Sequence, residues 1–153
     1  MTINRIVSIA VIAVVAIAAA WGLYDTLAPK GGADPDDRRQ VALGEQLYRA
    51  HCASCHGVNL EGQADWRTRN ADGTLKPPPH DASGHTWHHP DKVLFDYTKL
   101  GGQPVAPPGF TSAMPGFAGT LGDDDMWAVL AFIKSRWPAP VRERQRQIDG
   151  RSR

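Results

Sequence analysis

Both cysteines of the chain, Cys52 and Cys55, lie in one seven-residue stretch, HCASCHG, and His56 directly follows the second. Two cysteines at this spacing serve three chemistries. A zinc site needs two further Cys or His ligands, and a thioredoxin-like redox pair needs a strand–turn–helix context. The third is covalent haem attachment, in which each thiol bonds to a vinyl group and the histidine binds the iron. We expect haem attachment, against a structural disulfide or a chance match.

The N-terminus contains the longest apolar segment. Residues 6–24 carry no charge, and only Ser8 and Gly22 among them are not plainly apolar. As a helix they reach roughly 28 Å, close to the ~30 Å hydrocarbon core of a bilayer. This predicts a transmembrane anchor over residues 1–24. Ala18 and Ala20 leave the alternative of a cleaved signal peptide, whose apolar region is usually shorter.

The charges around this segment predict its orientation. Arg5 precedes it, and acidic residues follow it. By the positive-inside rule, the N-terminus is then cytoplasmic and the rest of the chain periplasmic, as a single-pass protein of a bacterial inner membrane. The formal net charge of +1 gives no indication of a nucleic-acid partner.

The remaining chain divides into three parts. Residues 25–39 contain Gly-Gly, two prolines and mixed charges, which predict a flexible linker. Residues 40–137 predict a mostly helical domain, with helices in RRQVALGEQLYRAHCASCHG, HHPDKVLFDYTKLGG and LGDDDMWAVLAFIKSRWP and a long loop over 58–87. Residues 138–153 form a polar, Arg-rich tail for which we predict disorder.

Two motifs, GEQLYRAHCASCHGVNLEG and SAMPGFAGTLGDDDMWAVLAFIKS, carry a family resemblance. With them the chain resembles the class I c-type cytochromes, of the small bacterial monohaem kind with an N-terminal membrane anchor. The resemblance implies an all-α fold, in which N- and C-terminal helices cross beside one covalent haem c, here preceded by one transmembrane helix. It also implies that Gly44 and Tyr48 of the first helix meet Val129 and Phe132, or Trp127, of the last.

The resemblance further implies iron ligands on both faces of the haem. His56 corresponds to the proximal ligand, and a methionine in an MP loop before the last helix corresponds to the distal ligand. Met114 precedes Pro115 in such a loop, whereas Met126 lies on the apolar stripe of a helix and is expected in the core. The alternative for Met114 is that it only fills a gap.

The surroundings of the haem are less specified by the motifs. In the family, a proline carbonyl commonly accepts a hydrogen bond from the proximal histidine, and we expect Pro78 or Pro79 in this role. Donor chemistry makes four side chains candidates for the haem propionates: Trp66, Arg67, Arg69 and Trp87.

Four histidines, His80, His85, His88 and His89, fall within ten residues. We expect them to form hydrogen bonds in a structured loop. The alternatives are a second metal site, with copper as one possibility, and a histidine that replaces Met114 on the iron.

With His and Met both on the iron no position is open for a substrate, so we expect one-electron transfer rather than catalysis. The expected partners are the membrane, a quinol-oxidising complex or dehydrogenase as donor, and a terminal oxidase or reductase as acceptor. A fixed haem subunit of an oxidoreductase or oxidase complex is the alternative. A ligand-binding or sensor haem protein is disfavoured by Met114.

Overall fold

The computed structural model describes residues 9, 11–21 and 31–152, and the chain divides into two units, residues 1–30 and 31–153. In the first unit, residues 11–21 are helical and are named α1. Among the described residues, no helix has both the length and the apolar character needed to cross a bilayer. This finding contradicts the predicted transmembrane helix, since the described part of α1, residues 11–21, covers roughly 16 Å of the ~30 Å that a span requires. Residues 6–8, 10 and 22–24 of the predicted span lie outside the described residues.

The second unit is helical, as the sequence predicted for the domain. Its only extended pairing within residues 31–152 is an isolated bridge between Arg69 and Leu75. The elements, in chain order, are α2 (Arg38–His51), α3 (Ala53–His56), a 3₁₀ turn (Thr86–His88), α4 (Asp91–Leu100), α5 (Gly102–Val105), α6 (Asp123–Ser135) and α7 (Ala139–Gly150).

Local sequence signals explain where these helices begin and end. Asp37 caps α2 by accepting hydrogen bonds from the backbone N–H groups of Arg39 and Gln40, at 2.9 and 3.2 Å. The acidic residues 123–125 lie in the first turn of α6, where the helix dipole favours negative charge. Gly101, with φ of 86°, ends α4.

Helices α2 and α6 cross at a glycine. A Cβ atom on Gly44 would lie 1.9 Å from the carbonyl oxygen of Ala128 and 3.0 Å from Cβ of Phe132, so only glycine allows this approach. One turn later, the buried ring of Tyr48 packs on Phe132 with centroids 5.3 Å apart. Trp127 instead stacks on Phe95 of α4, at 4.2 Å.

The expectation of a disordered tail over residues 138–153 is wrong, because α7 covers Ala139–Gly150. Its Gln145 is fully buried and donates to Asp91 at 2.7 Å, and Asp91 in turn pairs with Lys134 of α6 at 2.7 Å. Arg144 lies over the ring of Trp87, at 5.5 Å from its centroid. These contacts with α4, α6 and the 3₁₀ turn stabilise a helix whose own sequence has few apolar residues.

The segment before α2 also differs from a flexible linker. Ala33 is buried in the main core, and Gln40 donates to the carbonyl of Gly32 at 2.8 Å. Asp36 pairs with Arg142 of α7 at 3.0 Å. Residues 31–37 therefore pack on the domain, whereas residues 25–30 of the predicted linker lie outside the described residues.

Candidate cofactor site

A mostly apolar cavity of about 320 Å³ opens between α3, α4, α6 and the loop that carries Met114. Both cysteines and His56 line it, and so does Met114. Its apolar wall includes Leu94 of α4 and, from α6, Val129, Leu130 and Ile133. The volume falls in the ~300–1,000 Å³ range of small-molecule and cofactor sites.

The backbone geometry explains why the two thiols and His56 share one wall. The N–H of His56 donates to the carbonyl of Cys52 at 2.9 Å, in one tight turn of α3. Burial, and then the proximity of Cys55, raise the pKa of the Cys52 thiol to about 11. Cys55 is exposed, whereas Cys52 is partly buried.

The ring of His56 is held by Pro78. Nδ1 of His56 lies 2.8 Å from the Pro78 carbonyl, and because a carbonyl can only accept, Nδ1 carries the proton. Nε2 then keeps its lone pair for a metal. Burial lowers the pKa of His56, which also favours the neutral ring. Of the two prolines expected here, Pro78 makes this contact, and the Pro79 carbonyl instead accepts from Thr86 at 3.4 Å.

Met114 is held by two backbone hydrogen bonds. Its carbonyl accepts from the N–H of Gly102 at 3.0 Å, and its N–H donates to the Ser112 hydroxyl at 3.3 Å. A Cβ atom on Gly102 would lie 1.9 Å from Oγ of Ser112, so the glycine allows the loop to approach. Met126 is fully buried on α6 and is not among the lining residues, in agreement with a core role.

His80 shares the wall with His56. The two imidazoles lie nearly parallel, with centroids 4.0 Å apart and planes at 25°. Ligands on opposite faces of one iron cannot stack on each other, so this arrangement excludes His80 as the partner of His56 across a haem. Nδ1 of His80 lies 2.8 Å from Oγ1 of Thr86.

The other three histidines of the cluster make different contacts. His85 and His89 line the cavity, with His85 stacked on Trp66 at 5.4 Å, whereas His88 packs on Trp87. Within residues 31–152 no group of three or more His, Cys, Asp or Glu side chains is arranged to hold a metal ion. The contacts of His80, His85 and His88 in the structure are a hydrogen bond to Thr86 and ring packing on Trp66 and Trp87.

Of the residues predicted to surround the haem, some line the cavity and others do not. Trp66 and Pro78 line the cavity, but Arg67, Arg69, Trp87 and Pro79 do not. The Arg67 guanidinium lies over the Trp66 ring, at 4.1 Å from its centroid, and Arg69 donates to the Gly73 carbonyl. His80, His85 and His89 line the cavity, and the sequence had indicated them only as members of the histidine cluster, with one of them as an alternative iron ligand. Their only signal was the clustering of the histidines beside the proline run.

The residues present fit a covalent haem. Two thiols lie one helical turn apart, an imidazole nitrogen is left unprotonated by its hydrogen bond, and a thioether borders the same apolar cavity. These are the donor types that haem c uses for covalent attachment and for axial ligation.

Comparison with known proteins agrees with this donor set. The cytochrome c family model matches residues 41–137 of the chain. The chain is also similar to a thiosulfate dehydrogenase of Stutzerimonas stutzeri strain A1501, with 29% identity over 111 residues. The match covers 70% of this chain but only 29% of that protein. No solved structure matches the chain.

Proposed function

We propose that this chain, which belongs to the cytochrome c family, is a one-electron carrier that holds haem c covalently through Cys52 and Cys55 and uses His56 and Met114 as iron ligands. The observation that carries the proposal is that both thiols, the neutral His56 ring and Met114 line one apolar cavity. Haem supplies reversible one-electron oxidation and reduction when bound there.

Each ligand has a separate task in the proposal. Nε2 of His56 faces the metal because Nδ1 donates to Pro78 at 2.8 Å, and this bond also increases the basicity of the ligand. Met114 supplies a soft sulfur, which favours ferrous iron and raises the midpoint potential. With both ligands in place, small molecules are excluded from the iron, and electron transfer is the remaining chemistry.

Cytochrome c domains are typically periplasmic or extracellular, and we place this one in the bacterial periplasm. The proposed donor is a quinol-oxidising complex or a dehydrogenase. The proposed acceptor is a terminal oxidase or another reductase.

A fixed haem subunit of an oxidoreductase is the second candidate, and two observations favour it. The region similar to this chain makes up 29% of the Stutzerimonas stutzeri thiosulfate dehydrogenase, so it lies there within a longer protein. In addition, α7 extends the domain beyond the family match at residue 137, which provides extra surface for a stable partner.

Purification of the protein from its native host under mild conditions separates the two candidates. A carrier elutes alone, keeps its haem through acid–acetone extraction, is reversibly reduced and oxidised, and does not bind carbon monoxide as ferrous protein. Stoichiometric co-elution with an enzyme favours the fixed subunit. Carbon monoxide binding by the intact ferrous protein refutes the His/Met assignment.

A further inference from the structure

The ring of His80 has no task in the proposed chemistry, yet it lies face to face with the proposed ligand His56. The ring centroids are 4.0 Å apart and the planes differ by 25°. His80 comes two residues after Pro78, whose carbonyl accepts the hydrogen bond from the same His56 ring. One short segment, residues 77–80, therefore contacts the ligand both at its edge and on its face.

A hydrogen bond alone does not fix the plane of an imidazole. The 2.8 Å contact between Nδ1 of His56 and the Pro78 carbonyl restrains one atom of the ring and leaves it free to tilt about the line between donor and acceptor. A flat side chain packed against the ring face removes that freedom. His80 is such a side chain, and it is in contact with the His56 ring.

His80 can serve this purpose only if it is itself fixed, and three contacts fix it. Its N–H donates to the carbonyl of Leu60 at 2.8 Å, and its carbonyl accepts from Nε1 of Trp137 at 2.8 Å. On the ring, Nδ1 lies 2.8 Å from Oγ1 of Thr86. Backbone and ring are thus restrained from separate parts of the chain.

Two glycines, Gly62 and Gly84, also pack closely against Pro79 of this segment. A Cβ atom on Gly62 would lie 2.4 Å from the Pro79 nitrogen, and one on Gly84 would lie 2.0 Å from its carbonyl oxygen. The N–H of Gln63 donates to the Pro77 carbonyl at 3.0 Å. The segment is therefore too closely packed to shift when the ring of His56 moves.

We propose that His80 is a positioning residue that sets the plane of the His56 imidazole by face-to-face packing, while Pro78 sets its tautomer. The inference rests on the proposed function, in which His56 binds the haem iron. It assigns to the histidine-rich loop a role in orienting an axial ligand without contacting the metal.

Two variants of the holoprotein separate ring packing from hydrogen bonding. His80→Phe keeps a flat ring against His56 and loses the bond to Thr86. His80→Gln keeps an amide for Thr86 and loses the flat ring. The readout is the pattern of haem methyl shifts in the ¹H NMR spectrum of the ferric protein, because these shifts depend on the planes of the axial ligands. His88→Gln is the matched control, since His88 is outside the cavity lining.

We expect His80→Phe and His88→Gln to reproduce the native methyl pattern and His80→Gln to shift it or to split it into two sets. A native pattern in His80→Gln overturns the proposal, and so does a shifted pattern in His80→Phe, whether or not His80→Gln also shifts. Failure of the proposed function looks different, because the unsubstituted protein then lacks methyl signals of a His/Met haem. If His80→Gln does not mature, a shifted methyl pattern in His80→Phe still overturns the proposal.

Discussion

The two segments that bring His56 and Met114 to the cavity are built differently. On the His56 side, residues 77–80 are held by hydrogen bonds to Leu60, Gln63 and Trp137 and enclosed by two glycines. On the Met114 side, residues 110–117 form a loop in which Ala113 and Pro115 are exposed. The protein itself therefore positions the imidazole, whereas the Met114 thioether depends on a few loop contacts and, in the proposed function, on a bond to the haem iron.

Both sides of the cavity depend on the bound haem, so loss of its covalent attachment should have the largest effect on the protein. We expect Cys52→Ala or Cys55→Ala to remove most of the mature holoprotein, because the haem supplies a large share of the core of so small a domain. Haem staining of denatured protein measures the loss. Ser54→Ala is the control, and normal amounts of haem-stained protein in the cysteine variants contradict the assignment.

Gly62→Ala tests the rigid wall. The residue has φ of 66°, and a Cβ atom would lie 2.4 Å from the Pro79 nitrogen. Strain and overpacking together should lower the free energy of unfolding by about 3 kcal/mol. Guanidinium unfolding followed by haem absorbance measures it. Gly119→Ala, which meets open space, should be nearly neutral, and equal stabilities for the two variants refute the rigidity of this wall.

Met114→Ala tests the opposite wall. We expect the weak sulfur-to-iron band at the red end of the ferric spectrum to disappear, the midpoint potential to fall and the ferrous protein to bind carbon monoxide. The free energy of unfolding should fall by about 2 kcal/mol, from lost packing of a half-buried side chain. Met126→Leu is the control, as a core methionine. A Met114→Ala protein that keeps its sulfur band has another distal ligand.

Gly102→Ala is the counterpart of Gly62→Ala in the Met114 loop and tests whether this loop is less rigid than the His56 side. The new Cβ would lie 1.9 Å from Oγ of Ser112 and 3.3 Å from Cβ of Met114. The loop can yield, so we expect a loss of stability of about 1 kcal/mol. The same displacement should weaken the sulfur band. An intact sulfur band, together with a loss of stability as large as that of Gly62→Ala, contradicts the conclusion that the Met114 loop is less rigid than the His56 side.

Tyr48→Phe should have a small effect at neutral pH and adds a pH dependence on the His56 side. Burial above all raises the pKa of Tyr48 above its usual value near 10. Because the folded protein disfavours the phenolate, native stability is complete below pH 10 and declines as the pH rises beyond it. The variant should lose about 1 kcal/mol at pH 7, with the hydrogen bond to Gly57.

Unfolding measured at pH 7 and above pH 10 checks this, with Tyr97→Phe as the control. The decline above pH 10 should be shallower in Tyr48→Phe than in the native protein. If stability falls equally steeply above pH 10 in both proteins, Tyr48 is not the cause of this fall.

Local patterns predicted much of the domain. The apolar stripes and acidic first turn identified α6, and the Cys52–His56 motif identified the cofactor, because each signal lies within a few neighbouring residues. The stack of His80 on His56 could not be predicted, since it depends on how residues 77–80 fold against Leu60 and Trp137. The polar composition of residues 138–153 predicted disorder, but α7 forms there because residues distant in sequence stabilise it through polar contacts.

The buried pair of Lys134 and Asp91 has a consequence for dividing the chain into fragments. Their side chains are only 8% and 14% exposed, and Gln145 of α7 completes the hydrogen bonding of the carboxylate. The family match ends at residue 137, which makes that position an attractive place to cut. A fragment ending there would hydrate a carboxylate that the intact protein keeps covered, so the smallest self-sufficient module extends through Gly150.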